Sequence, residues 1–138
     1  HMGFRSLTDC IRHETEALVD GKTDLATFPQ CLVPLGRRLV DELIGHHQIE
    51  DDAYFPELAA LEPRLNRGFH ILDADHHELD ALLDSFVTGA NAMLQSADLR
   101  DAAGPFHTSL APFETMLHRH LTDEEDLILP VILKHRYG

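Results

Sequence analysis

Several things are missing from this chain of 138 residues, and each absence removes a class of function. No apolar run reaches the ~20 residues that a membrane-spanning helix needs. The N-terminus shows no cleavable signal pattern, and His1-Met2 reads as a cloning remnant outside the argument. Cysteine occurs only at Cys10 and Cys31, in no CxxC spacing. The expectation is two buried, reduced thiols in a cytoplasmic protein, not a disulfide scaffold. Basic residues are few: Lys+Arg number 11 against 24 Asp+Glu, a formal net charge of −13. Such a chain repels phosphate backbones, so no nucleic-acid partner is expected. There is no Gly-rich nucleotide loop and no GxSxG nucleophile signature. Neither period-two alternation nor a βαβ rhythm occurs, which argues against a sheet.

Histidine is abundant, with eleven residues, and hydrophobic content is an ordinary 43 %. The length suits a single domain over 1–138 with a genuine core. Helical periodicity runs through most of it. Residues 5–20 read as a helix opened by Ser6 or Thr8 and closed by Gly21, with His13 on the edge of its apolar face. A second helix spans about 30–55, with Pro34 in its first turn and an inner stripe Leu32, Leu35, Leu39, Leu43, His46, Glu50, Tyr54. Residues 56–66, with Pro56 and Pro63, read as a loop. A third helix over 67–89 has the stripe Leu72, His76, Leu79, Leu83, Phe86. Residues 89–104 read as a mobile connection. Gly104-Pro105 then opens a fourth helix with the stripe Phe106, Leu110, Phe113, Leu117, His120, Glu124, Leu127, bent at Pro112. The tail 131–136 has the pattern of a last short helix. The fold class is therefore all-α, an antiparallel up-down-up-down four-helix bundle.

The chain also repeats itself. The stretch HHQIEDDAYFP starting at His46 and the stretch HLTDEEDLILP starting at His120 match at His, at Glu four residues on, at two further acids and at Pro. A His and a Glu four apart lie one turn from each other on one helix face, a two-toothed metal grip. Each half of the chain carries one inward His, His13 or His76, and then an HxxxE helix. Four imidazoles and two carboxylates inside one bundle need partners, because burying an unpartnered carboxylate costs several kcal/mol. Imidazole with carboxylate suits iron, manganese or zinc, and six side chains over-fill one tetrahedral zinc site, so two ions are expected. His70, His77, His107, His118 and His135 miss the stripes and read as surface.

The pattern H–HxxxE–H–HxxxE, with HHQIEDDAYFPEL and HLTDEEDLILPVIL, resembles the hemerythrin-like HHE cation-binding domains over nearly the whole chain. The resemblance implies a bundle holding two non-haem iron ions bridged by oxo or hydroxo. It implies His13, His46, His76 and His120 as terminal metal ligands and Glu50 and Glu124 as bridges. The chain departs from the oxygen-carrying hemerythrins at Leu72, where those carry a further His, and at Glu125, where they carry Asp. One ion is thereby short of an imidazole. Tyr54, a turn beyond Glu50, and His47, beside His46, are the candidates for an extra ligand or for support behind the ligands.

Three readings follow. The first is an oxidoreductase-type centre in oxidative stress that binds or reacts with O2, hydrogen peroxide or NO, with catalase-like peroxide decomposition as the concrete activity. The second is an iron- or oxygen-sensing module without turnover. Iron storage comes third. The expected partner is a small diatomic or peroxide ligand, with no membrane and no specified oligomeric state.

Overall fold

A computed structural model describes residues 3–137, with side chains to His135; His1 and Met2 lie outside the described residues. Among the described residues there is no strand. Helix α1 is Phe4–Val19, α2 is Thr27–Ile49, α3 is Phe55–Leu61, α4 is Asn66–Leu94 and α5 is Leu99–Tyr137. A π-helical turn, Glu50–Tyr54, joins α2 directly to α3, and a 3-10 turn, Pro63–Leu65, leads into α4. The long helices pack as a ring in which α1 meets α2 and α5, and α4 meets α5 and α2. The α2–α4 seam is the sparsest of the four.

Apolar stripes drive this packing. Leu32, Leu39 and Leu43 of α2, Leu79, Leu83 and Phe86 of α4, and Phe106, Leu110, Phe113 and Leu117 of α5 all turn inward with Leu7, Ile11 and Leu18 of α1. A smaller cluster of Phe55, Leu58, Phe69, Leu72 and Val131 closes one end. The buried polar side chains His47, Glu50, His76 and His120 belong to the stretch between the two clusters.

Local chemistry explains the ends. Glycine closes α1 as expected: Gly21 has φ of 72°, Gly21 N–H bonds Leu18 O, and Lys22 N–H bonds Ala17 O. This left-handed cap satisfies two orphan carbonyls. Gly3, not Ser6 or Thr8, stands at the N-cap of α1.

The proline-based expectations need correction. Pro34 is in the interior of α2, residues 56–66 are largely helical, α5 begins at Leu99 and continues without a break through Pro105, Pro112 and Pro130. All five of Pro34, Pro56, Pro105, Pro112 and Pro130 are exposed, so the carbonyl each leaves unbonded faces water and a helix tolerates the loss. The 89–104 connection shrinks to a turn over 95–98, because alanine-rich sequence favours helix. Asp98 caps α5 by accepting a bond from Asp101 N–H at 3.1 Å. Cys10 and Cys31 are not joined in a disulfide, and both are half-buried, not fully buried. Among the described residues no helix is long and apolar enough to cross a membrane.

Candidate metal centre

The site is assembled by the C-terminal turn of α2, the π turn, the first half of α4 and the middle of α5. The π turn has a local cause. Pro56 lacks an N–H, and its ring would clash with the carbonyl four residues back in a regular helix. The turn widens instead, with Phe55 N–H bonding Glu50 O, five residues back. One residue of extra length rotates everything beyond it by about 100°. Phe55 therefore enters the core at 4 % exposure, while Tyr54 lies 54 % exposed. Tyr54, expected on the inner stripe, is not brought to the site.

His13 is not brought there either. Arg5 bonds Glu125 at 2.8 Å, and Arg12 bonds Glu114 at 3.3 Å. These pairs set α1 against α5 so that the site is level with the start of α1, where the Phe4 ring stands 5.5 Å from that of His46. His13 lies nine residues further along, about 13 Å down the axis, on the outer face. Its side chain is 68 % exposed, and its near neighbour is Glu16 at 4.0 Å.

The other five expected ligands and His47 converge. One donor atom from each of His47, Glu50, His76 and His120 lies within 4.8 Å of the others, and all four residues are buried. His46, Glu50 and Glu124 form a second such group, so Glu50 belongs to both. His46 Nε2 is 3.2 Å from Glu50 and 3.5 Å from Glu124. His120 Nε2 is 3.2 Å from Glu124, and His76 Nε2 is 3.1 Å from Glu50. His76 and His120 meet through their Nε2 atoms at 3.2 Å. The His47 ring stacks on that of His76 at 3.9 Å.

Two carboxylates that the sequence reading missed stand behind the imidazoles. Asp51 faces His76 Nδ1 at 2.8 Å. Asp75 faces His120 Nδ1 at 3.1 Å and is itself held by Arg119 at 3.0 Å. Each carboxylate fixes a ring's orientation and leaves its Nε2 free to donate a lone pair inward. The signal for Asp75 was its place one residue before His76, which puts it on the α5 side of α4. Phe55 packs against the His76 ring at 5.4 Å and keeps that side dry.

Crowding sets the protonation. Glu124 and Glu50 hold His46 as an imidazolium, raised to about 10. Burial, with the neighbouring imidazoles, pushes His47 the other way, to about 3. For His76 burial is the larger single effect and lowers it, but Glu50 and Asp51 together reverse this, and the net direction is up. Burial raises Glu124, yet the bonds from His120 and His46 outweigh it and keep the carboxylate well below its usual range. Four buried atoms at the centre still lack a well-directed hydrogen bond: Glu50 Oε1, Glu124 Oε2 and both ring nitrogens of His47. Each such atom costs ~1–3 kcal/mol.

Cations fit this donor set. Metal–nitrogen and metal–oxygen bonds of ~2.1 Å put opposite donors about 4.2 Å apart, the scale of both groups. Cations at the two groups would satisfy Glu50 Oε1, Glu124 Oε2 and one ring nitrogen of His47, and displace the shared protons. Another cluster, Asp9, Glu114 and His118, lies away from the centre between α1 and α5. It is already crossed by the Arg12 guanidinium, 3.1 Å from Asp9 and 3.3 Å from Glu114.

Fold and site together define a helical-bundle metal-binding module. The model of the Hemerythrin HHE cation binding domain matches residues 1–132, and the chain belongs to that family. Comparison with curated proteins gave no match, and comparison with solved structures gave none.

Proposed function

We propose that this domain binds two iron ions and reacts there with small oxygen- or nitrogen-oxide species, hydrogen peroxide first among them. One ion takes His46, Glu50 and Glu124; the other takes His47, His76, His120 and the shared Glu50. His47 thus fills the place that the family pattern gives to His13. The single observation that carries this reading is the pair of donor groups joined at Glu50. Two octahedral ions offer about twelve positions, more than these side chains fill, so room remains for a small exogenous ligand.

Iron at this centre would supply one-electron redox chemistry toward O2, peroxide or NO. The chain's own part is positional. Asp51 and Asp75 orient His76 and His120, Arg119 steadies Asp75, and Phe4 and Phe55 exclude water. The up-down-up-down course belongs to the same reading, supported by the short links over 20–26 and 95–98 and by the antiparallel Arg5–Glu125 and Arg12–Glu114 pairs.

The orphan buried atoms favour a second reading, a sensor in which metal loading orders the bundle. Elemental analysis, an absorption spectrum and an oxygen electrode separate the two. Two irons per chain, charge-transfer bands and many turnovers of O2 release from peroxide support the redox reading. Iron binding with a large change in protease resistance but no O2 release supports the sensor. One zinc, or no metal in a fully stable bundle, refutes both.

A further inference from the structure

Most of the metal centre is buried, yet a cavity reaches its His47 side. The sparse α2–α4 seam opens into a cavity of about 330 Å³ lined by Ile44, His47, Gln48, Asp51, Asp80, Leu83 and Asp84. Three carboxylates stand in that lining and no Lys or Arg does. Asp80 is 58 % exposed at the mouth, and Asp51 is 37 % exposed. His47 forms the floor. Its side chain is only 5 % exposed, and neither ring nitrogen has a hydrogen-bond partner. Nδ1 looks toward Asp80 Oδ1 at 3.5 Å, too far for a good bond. The ring also meets His76 at 3.9 Å and His120 at 5.9 Å, within the donor group, and His46 at 6.3 Å. His47 thus borders both the cavity and the donor group, with Asp51 beside it holding His76 Nδ1 from the cavity side.

Resting on the two-ion reading, the geometry points to this cavity as an acidic entry port through which divalent cations reach the centre. Asp80 and Asp84 attract the hydrated ion from solvent. The low-dielectric walls of Ile44 and Leu83 focus their field into the cleft, as charged clefts do. The ion sheds water in the cavity, meets the free nitrogen of His47, and passes to the ring of His76, His120 and Glu50. A neutral ligand such as peroxide can follow the same path, and an anion is repelled from it.

Stopped-flow loading of the metal-free protein with Co(II), which is followed by its ligand-field bands and needs no redox step, tests this. The variant Asp80→Asn/Asp84→Asn is compared with Asp20→Asn/Asp24→Asn, which removes the same charge from exposed positions beyond the end of α1. The port variant should load about tenfold more slowly at low ionic strength, with a flatter salt dependence, while final stoichiometry stays at the parent value. The control pair should load within about twofold of the parent. Equal slowing in both variants would show that the overall negative charge does the steering, and overturns the port. Unchanged loading in the port variant overturns it as well. A parent protein that takes up no cobalt overturns the port together with the metal-centre reading, whereas normal parent loading with either of the previous results removes the port alone.

Discussion

Replacing His47 by leucine should make the metal-free protein more stable and the metal-loaded protein impossible to assemble fully. Burial and its imidazole neighbours push His47 to about 3, so the ring is neutral at ordinary pH. It then buries one donor and one acceptor, neither with a partner. Each unsatisfied group costs ~1–3 kcal/mol, partly relieved by the distant Asp80 oxygen. Leucine has nearly the same volume and a few tenths of a kcal/mol better helix propensity. Against this, the stack on His76 at 3.9 Å is lost, worth ~1 kcal/mol. The balance is a gain of about 2 kcal/mol in the metal-free state. A chain of this length shifts by roughly 3–4 °C per kcal/mol, so its Tm should rise by about 7 °C. Calorimetry in a strong chelator measures that rise, and elemental analysis of the loaded variant should find at most one ion per chain. A lower Tm than the parent in chelator would mean that the ring nitrogens are satisfied in solution. It would refute the claim that the apo site is strained by unpartnered groups.

Other expectations follow from the same geometry. His13→Ala and Tyr54→Phe should leave metal content and absorption spectrum unchanged, since both side chains face solvent; loss of an ion from His13→Ala would show that α1 is set in a different register. Glu62 is anchored by Lys134 at 2.5 Å, His135 at 3.1 Å and Arg64 at 3.2 Å, which hold its carboxyl at about 2 against an ordinary 4.5. Its stabilising effect is therefore full above pH 4.5 and lost as pH falls toward 2, so Glu62→Gln should flatten the acid limb of the stability curve and raise amide exchange at the end of α5. A methyl at Gly68 would stand 2.9 and 3.0 Å from the Leu127 methyls. Gly68→Ala should therefore lose about 1 kcal/mol in denaturant titration despite its better helix propensity, and less in a Leu127→Ala background.

Much of this architecture is legible in the residues. The inner stripes of α4 and α5 survive intact because both helices keep a regular period through His76 and through His120 to Glu124. The α2 stripe holds from Leu32 to Glu50 for the same reason. It fails at Tyr54 because periodicity assumes 3.6 residues per turn, and Pro56 forces a wider turn just before itself. His13 fails differently. Its helix forms as expected, but its side chain turns to the outer face, opposite Leu7, Ile11 and Leu18, and whether a residue reaches a site also depends on axial register between helices. The pairs Arg5–Glu125 and Arg12–Glu114, far apart in sequence, set that register, and no local pattern announces them. His47 was visible only as the neighbour of a ligand, since two adjacent helical residues rarely serve one site unless the site lies between their faces.

The π turn carries one more consequence. It stores one surplus residue, so deleting one residue within 51–53 would remove the surplus and leave Phe55, then four residues after Glu50, facing His76. Tightening the turn to a regular α-helix with no residue lost would instead bring Tyr54 to that place, and an apolar wall would become one that carries an ionisable oxygen. In this bundle the width of one turn decides which aromatic ring the metal centre faces.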